Sequence, residues 1–173
     1  MEYVESNLMM MLKDHEGSGR GVSYEDVEGN LTAGFGHLVV PGDVDLNGNP
    51  ITNKGQAISD EQAERWFKSD TDNAVQRAGG IYGFDRMSAS RQKAMIDLTF
   101  NMGIGWTNKF PNAVGYAKDA VNSSSPERAK ANWWRMAREL EYKDGKDIRS
   151  GHSKYWKQTK RRAKNITKMI REG

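Results

Sequence analysis

The sequence predicts an α+β fold, in which a short stretch of β structure near the N-terminus precedes a mostly helical body. A glycine-rich hairpin pattern occupies residues 24–37. Farther along the chain, apolar residues recur with helical spacing, and capping residues precede two of these segments. The length of 173 residues suits one domain, or two small lobes that share a helix, and allows a sizeable core.

The first predicted element is a helix that ends at Glu16. Leu8, Met11 and Leu12 form an i, i+3, i+4 apolar face, and Gly17 suits the position just after the helix end. Glu16 would then lie at the negative end of the helix dipole, beside the apolar face. Both effects disfavour the ionised carboxylate, and a carboxyl that stays protonated suits a general acid.

The second predicted element is the hairpin, which carries Asp26 and Thr32. If the turn is centred on Gly29, residue 26 pairs with residue 32, and their Cβ atoms lie about 5 Å apart on one face. A carboxylate and a hydroxyl so placed can share one water. Together with Glu16 they would supply the acid and the water-directing carboxylate of a glycosidase. Taken alone, such residues are more often solvated surface groups.

The complete pattern is more specific than its parts. It runs Glu16-Gly17, then Tyr24-x-Asp26-x-x-Gly29-x-x-Thr32-x-Gly34-x-Gly36-His37. This pattern resembles the catalytic segment of the phage lysozyme family, the T-even phage type of endolysin, and the resemblance extends from about Leu8 to Ile170. It implies that Glu16 is the general acid and that Asp26 and Thr32 hold the nucleophilic water. The stretch between Glu16 and Tyr24 is a residue longer than the family pattern.

The resemblance also implies a lysozyme-like architecture for residues 1–173 as a single catalytic domain. A small N-terminal lobe with the β structure would cover about 15–60, and a connecting helix about 59–78. A helical lobe would cover about 79–173, with helix 1–16 packed on it and the cleft between the lobes.

The connecting helix has a capping box at its start and a carboxylate in its apolar stripe. Ser59-Asp60-Glu61-Gln62 opens the helix. Asp70 lies in the stripe and needs a cationic partner there, for which His37 is the nearest candidate. The resemblance aligns His37 and Asp70 as a structural pair, so His37 is predicted to serve the fold rather than act as a base. The apolar stripe itself comprises Ala63, Trp66, Phe67, Ala74, Val75 and Ala78.

Between hairpin and connecting helix, residues 39–55 are rich in turn formers and are predicted to form a short third strand or an exposed loop. The segment Asp43–Gly48 copies the first half of a calcium-binding EF-hand loop, but Lys54 stands where the bidentate Glu is required. A polar turn is therefore favoured over an ion site.

Four helices are predicted in the helical body. Residues 94–102 are apolar almost all round, as in a buried central helix, and Gly103 ends them. A second helix covers residues 113–121, and a third starts at Pro126 with Ser125 as N-cap. The last helix runs from about Thr159 to Ile170.

The resemblance assigns glycan contacts to four further residues: Leu38, Phe100, Asn132 and Arg162. Phe100 has ordinary core packing as an equal alternative. Ala113 stands where the family places a serine contact, so that polar contact is expected to be missing.

Composition excludes several classes of site. The chain has no cysteine, so disulfides, Cys-bound zinc and thiol nucleophiles are excluded, and we expect neither a cofactor nor a metal. Net charge is +3, but residues 154–171 hold eight Lys or Arg and no acid. Such a segment is usually a solvated helix face, and it could also attract an anionic cell wall or nucleic acid.

These observations predict a peptidoglycan muramidase, monomeric, with no nucleic-acid or membrane partner. Retention of Asp26 and Thr32 favours hydrolysis with inversion over a lytic transglycosylase, and the Glu16, Asp26 and Thr32 set argues against a non-catalytic binding module. The N-terminal apolar run of five residues is too short for a signal peptide. We therefore expect the protein in the host bacterial cytoplasm before holin-mediated release, or alternatively in the virion tail.

Overall fold

A computed structural model of the chain describes residues 2–17, 20–143 and 151–173. Its elements in chain order are α1 (Glu2–Glu16), β1 (Arg20–Glu25), β2 (Leu31–Gly34), β3 (His37–Leu38), α2 (Asp60–Gly79), a 3₁₀ turn (Phe84–Arg86), α3 (Ala89–Met102), α4 (Trp106–Lys109), α5 (Pro111–Asn122), α6 (Pro126–Glu141) and α7 (Lys154–Glu172). A mostly helical chain with one small antiparallel sheet confirms the predicted α+β, lysozyme-like class. No helix among these residues is long and apolar enough to cross a bilayer.

The chain forms two compact units, residues 1–73 and 74–173, and the boundary falls within α2. The first unit contains α1, the three strands and most of α2. The predicted connecting helix is therefore present, with its start and end within a residue of those expected. The predicted packing of residues 1–16 on the helical lobe stays a prediction.

The first unit is built around a small apolar cluster between the sheet and α2. The strands are ordered β1-β2-β3, all antiparallel. The cluster contains Ala33, Ile51, Ile58, Ala63 and Trp66, all buried. Ser59 caps α2 as predicted, since its Oγ accepts a hydrogen bond from the Gln62 amide at 3.1 Å.

One residue that was predicted to belong to the apolar stripe of α2 is instead exposed to solvent. Val75 is 39% exposed, whereas its neighbour Ala74 is buried. Successive helical residues are rotated by about 100°, so the residue beside a buried position can face solvent. The stripe is accordingly narrower than its apolar composition indicated.

Of the two alternatives predicted for residues 39–55, the structure has the loop, and the third strand lies just before it. β3 consists of His37 and Leu38 alone, and residues 39–55 form a loop with a single isolated bridge, Val44 to Pro50. The loop stays irregular because the side chains of Asp43 and Asp45 accept hydrogen bonds from backbone amides of the loop itself. These bonds compete with strand pairing.

The second unit packs α5 on α6, α6 on α7 and α7 on α3. Ser125 caps α6 as predicted, and residues 94–99 of α3 are all buried. The last helix begins at Lys154 rather than Thr159, because Ser153 caps it, and Lys160 interrupts it with φ 11° and ψ −78°. The short helix α4 was not predicted, since four residues are too few to show a helical repeat.

A buried ion pair lies inside this unit. Arg162 Nε donates to Asp97 Oδ1 at 2.8 Å, and the two side chains are 6% and 0% exposed. The basic segment 154–171 therefore does not present all its charge to solvent. Arg162 is buried, and Arg171 contacts the carboxylate of Glu141.

Candidate active site

Glu16 is the last residue of α1, as predicted, and the helix ends because Gly17 adopts φ +80°. The Gly17 amide donates to the carbonyl of Lys13 at 2.9 Å, which closes the last helical turn. The partly exposed Glu16 side chain reaches the turn between β2 and β3.

Gly36 lies directly against the Glu16 carboxyl. A methyl group at the Gly36 Cβ position would be 3.0 Å from Oε2 and 3.6 Å from Cδ of Glu16, and the Gly36 φ is +88°. Both the close approach and the left-handed backbone favour glycine at this position. The turn thus sets one side of the space that the carboxyl can occupy.

The predicted pairing of Asp26 with Thr32 was wrong. In the sheet Tyr24 pairs with Thr32 and Glu25 pairs with Leu31, while the Asp26 amide donates to the Asn30 carbonyl at 2.9 Å. Asp26 therefore lies opposite Asn30, just after the end of β1. Asp26 and Thr32 are therefore diagonal neighbours, and such residues lie roughly 7–8 Å apart, farther than the about 5 Å expected for a directly opposite pair.

The side chain of Asp26 explains why the register differs from the predicted one, because it accepts hydrogen bonds from residues of the turn itself. Oδ1 accepts hydrogen bonds from the amides of Glu28 and Asn30, both at 2.8 Å, and Oδ2 accepts from Asn30 Nδ2 at 3.0 Å. The bond from the Asn30 side chain is the largest cause that lowers the pKa of Asp26. Slight burial opposes it, and the backbone amides lower the pKa further. The carboxylate is thereby stabilised in its ionised form.

Asn30 links Asp26 to Thr32. Its carbonyl accepts from the Thr32 hydroxyl at 3.1 Å, and Thr32 is buried, with 4% of its surface exposed. The predicted carboxylate and hydroxyl are thus joined through one residue rather than facing each other. Asn30 was not predicted as a site residue, although its position directly after Gly29 was a usable signal for a side-chain-stabilised turn.

The turn that contains Asp26 occurs twice in the first unit. Asp26–Asn30 and Asp45–Asn49 both have the order Asp-x-x-Gly-Asn. In both, the Asp Oδ1 accepts from the amides two and four residues later, the Asp amide donates to the Asn carbonyl, and the glycine has φ near +80°. Backbone amides, those of Asn49 first, also lower the pKa of Asp45. The hydrogen bonds of Asp26 are therefore those of a turn, whatever else it does.

His37 contacts Asp70 as predicted. Nδ1 lies 2.8 Å from Asp70 Oδ2, and the ring stacks on Trp66 with centroids 4.6 Å apart. A second carboxylate was not predicted: Asp43 Oδ2 lies 3.1 Å from Nε2. Burial lowers the pKa of His37, but the hydrogen bonds and charges of Asp70 and then Asp43 outweigh it, and the pKa is raised above 6.5.

The four residues assigned to glycan contact lie in different surroundings. Leu38 follows His37 in β3 and is 55% exposed. Phe100 and Asn132 are partly exposed in the second unit, where Asn132 accepts from Arg135 at 3.1 Å. Arg162 is held by Asp97. Their contacts with a glycan stay predictions.

Comparison with known proteins defines the class. The family model described as phage lysozyme matches residues 13–164, and the chain belongs to this family. It is 29% identical over 134 residues to peptidoglycan hydrolase gp36 of Pseudomonas phage phiKMV, which is 68% of this chain and 14% of that protein. It is 23% identical over 145 residues to probable T4-type lysozyme 2 of Dictyostelium discoideum, covering 75% and 85% of the two chains.

A third relative is the pre-baseplate central spike protein Gp5 of Enterobacteria phage T4. The identity is 28% over 180 aligned positions, covering 94% of this chain and 27% of that protein. The chain therefore spans a small part of the two phage relatives and most of the Dictyostelium one.

We predict that Asp70→Asn lowers the free energy of unfolding by about 1–2 kcal/mol below the pKa of His37, because a partly exposed, charge-assisted hydrogen bond is lost. A histidine whose folded pKa is raised contributes stability at low pH that disappears as pH rises through that value. The difference in the free energy of unfolding between Asp70→Asn and wild type should therefore shrink as pH rises from about 6.5 to the alkaline side of the His37 titration. Urea unfolding across this range measures it.

The matched control is Asp72→Asn on the same helix, which removes only the exposed pair with Lys68. This variant should lower the free energy of unfolding by about 0.5 kcal/mol or less, and the loss should not change with the protonation of His37. Equal losses in the two variants would contradict a specific His37–Asp70 bond.

Proposed function

We propose that the protein is a peptidoglycan muramidase that hydrolyses the β-1,4 bond between N-acetylmuramic acid and N-acetylglucosamine. The observation that carries the proposal is the family match over residues 13–164, which includes Glu16, Asp26 and Thr32 together. Two relatives, one named a peptidoglycan hydrolase and the other a probable T4-type lysozyme, agree with it.

Glu16 takes the role of general acid in this proposal. It would donate its proton to the glycosidic oxygen as the bond to the anomeric carbon breaks. Its position against Gly36 supports the role, because the turn limits how far the carboxyl can swing. The acid is left as a carboxylate, which regains a proton from solvent before the next turnover.

Asp26 takes the role of general base. Its hydrogen bonds keep it ionised, so it can accept a proton from the attacking water. Thr32 would help to hold that water. Because the Thr32 hydroxyl donates to the Asn30 carbonyl, Asn30 is a further candidate for aligning the hydroxyl. The water attacks the anomeric carbon on the face opposite the leaving group, and the configuration inverts.

The two phage relatives are much longer than this chain, whereas the Dictyostelium relative is not. A free endolysin released into the periplasm and a virion-borne lysozyme would both use the same catalytic unit. Mass spectrometry of purified virions separates them, since only the second is retained in the particle.

We predict that Glu16→Gln abolishes hydrolysis of purified peptidoglycan while thermal stability is unchanged or higher. The amide retains the shape of the side chain and removes a charge at a helix C-terminus. General acid catalysis is worth about 10²–10⁴-fold, so a variant retaining more than about a hundredth of wild-type activity would remove Glu16 from the role. Release of reducing ends gives the rate, and Asp14→Asn on the same helix is the control.

The two copies of the Asp-x-x-Gly-Asn turn provide a matched test of Asp26. Asp26→Asn and Asp45→Asn each remove one carboxylate from the same turn geometry, so their structural consequences should be similar. We predict a loss of about 10²-fold or more in kcat for Asp26→Asn and near wild-type kcat for Asp45→Asn. Comparable activity in the two variants would reduce Asp26 to a turn residue.

We predict that the initial product has the α configuration at its new reducing end. Water held by Asp26 and Thr32 attacks directly, so no glycosyl-enzyme intermediate forms. Proton NMR of the first product from a short peptidoglycan glycan decides the matter. An initial β-anomer would indicate a retaining enzyme, and a 1,6-anhydro end without a new reducing sugar would indicate a lytic transglycosylase.

A further inference from the structure

The imidazole of His37 is held from both sides. Asp70 of α2 contacts Nδ1 at 2.8 Å, Asp43 of the following loop contacts Nε2 at 3.1 Å, and Trp66 covers one face of the ring. The side chains of His37 and Asp43 are each only 13% exposed. Asp43 Oδ2 also accepts from the Val40 amide at 2.8 Å, so the loop itself keeps the carboxylate in place.

We propose that the setting of the Glu16 carboxyl depends on the protonation of His37, and that Asp43 is a positioning residue that fixes, through its contact with Nε2, the pH at which His37 changes its protonation. The role of Glu16 in this inference rests on the proposed function, whereas the structural coupling does not. Asp43 itself touches no reacting group.

The chain connects the two groups over a very short path. His37 directly follows Gly36, and Gly36 lies against Glu16 Oε2. The backbone pairing of His37 with Ala33 ties the same turn to β2, beside Thr32. A shift of the His37 ring therefore moves the turn that borders the Glu16 carboxyl.

The number of hydrogen bonds that the His37 ring can donate depends on its protonation. Both carboxylates can only accept hydrogen bonds, and imidazole carries an N–H on both nitrogens only when it is protonated. When the ring is neutral, one carboxylate faces a nitrogen lone pair at hydrogen-bond distance, which is repulsive. At a pH below the His37 titration, the ring therefore donates a hydrogen bond to both carboxylates. At a pH above it, one of these two hydrogen bonds is lost.

Several charged groups surround this turn, and they must be separated experimentally. Asp70 and Asp43 face the ring itself. On the α1 side Glu16 borders Gly36, and the ammonium of Lys13 lies 5.1 Å from the Phe35 ring centroid while pairing with Glu64 at 2.6 Å. His15 is the second histidine to exclude, because it precedes Glu16 in α1.

The test is an NMR titration of the full chain. The observed signals are His37 Cε1–H, the Gly36 amide and the side-chain carboxyl carbon of Glu16. In wild type, we expect all three to show an inflection at the same pH. In Asp43→Asn the shared inflection should move to lower pH by about one unit, the usual effect of removing a carboxylate close to a histidine.

Two variants serve as controls. Asp45→Asn removes a carboxylate from the same loop that bonds Asn47, Asn49 and Gln56 instead of His37, so the inflection should stay in place. His15→Gln should also leave it unchanged. Asp43→Asn can still accept from the Val40 amide, and an unaltered Val40 amide shift shows that the loop has kept its fold.

A kinetic readout completes the test. For hydrolysis of purified peptidoglycan, we expect the kcat of wild type to fall as pH rises through the His37 titration, because one side of the hold on His37 is then lost. In Asp43→Asn this fall should move to lower pH together with the His37 titration, with KM unchanged. The inference is overturned if the His37 titration does not move, or if it moves while the Gly36 and Glu16 signals and the kcat profile stay in place. A wild-type protein that shows the coupled NMR titration but hydrolyses no peptidoglycan refutes the proposed function and leaves the coupling intact.

Discussion

The hold on His37 is the interaction on which the arrangement of the first unit depends. A single ring joins α2, through Asp70 and Trp66, to the loop after β3, through Asp43, and to the turn that borders Glu16. The turn and the loop, which are close in sequence, thus share one polar contact point with Asp70 of α2, 33 residues farther along the chain, in a unit whose apolar cluster is small. Removal of any partner leaves a partly buried charge with less compensation, which is costly.

In the proposed mechanism, one of the two Asp-x-x-Gly-Asn turns would have a catalytic role in addition to its structural one. The same hydrogen bonds that fix the turn at Asp45 fix it at Asp26, and in both cases they favour the ionised carboxylate. What distinguishes Asp26 is its neighbourhood, since Asn30 connects it to the buried hydroxyl of Thr32. An ionised, rigidly held carboxylate is what a general base requires, so the turn and the proposed chemistry need the same geometry.

The basic residues of segment 154–171 lie in two different environments, which composition alone could not distinguish. Arg162 faces inward and meets Asp97, whereas the lysines around it face solvent. A buried ion pair of this kind contributes little net stability compared with apolar packing, but loss of one partner is strongly unfavourable. Counting charges along a sequence therefore overestimates what a helix presents to a polyanion.

The sequence by itself determined the elements whose causes are local. Apolar spacing, Ser59 and Ser125 as caps, and Gly17 as a stop were sufficient for α1, α2 and α6. The place of Asp70 in the apolar stripe indicated a cationic partner, which the expected fold and the family resemblance identified as His37. The hairpin register was predicted wrongly from a turn centred on Gly29, although the bonds that fix it are local, because Asp26 accepts them from amides two and four residues later. Only the tertiary structure decided the contact of Asp43 with His37 and that of Gly36 with Glu16, since neither spacing nor composition specifies where a loop returns. Long-range polar contacts depend on how the whole chain folds back, and local patterns do not contain that information.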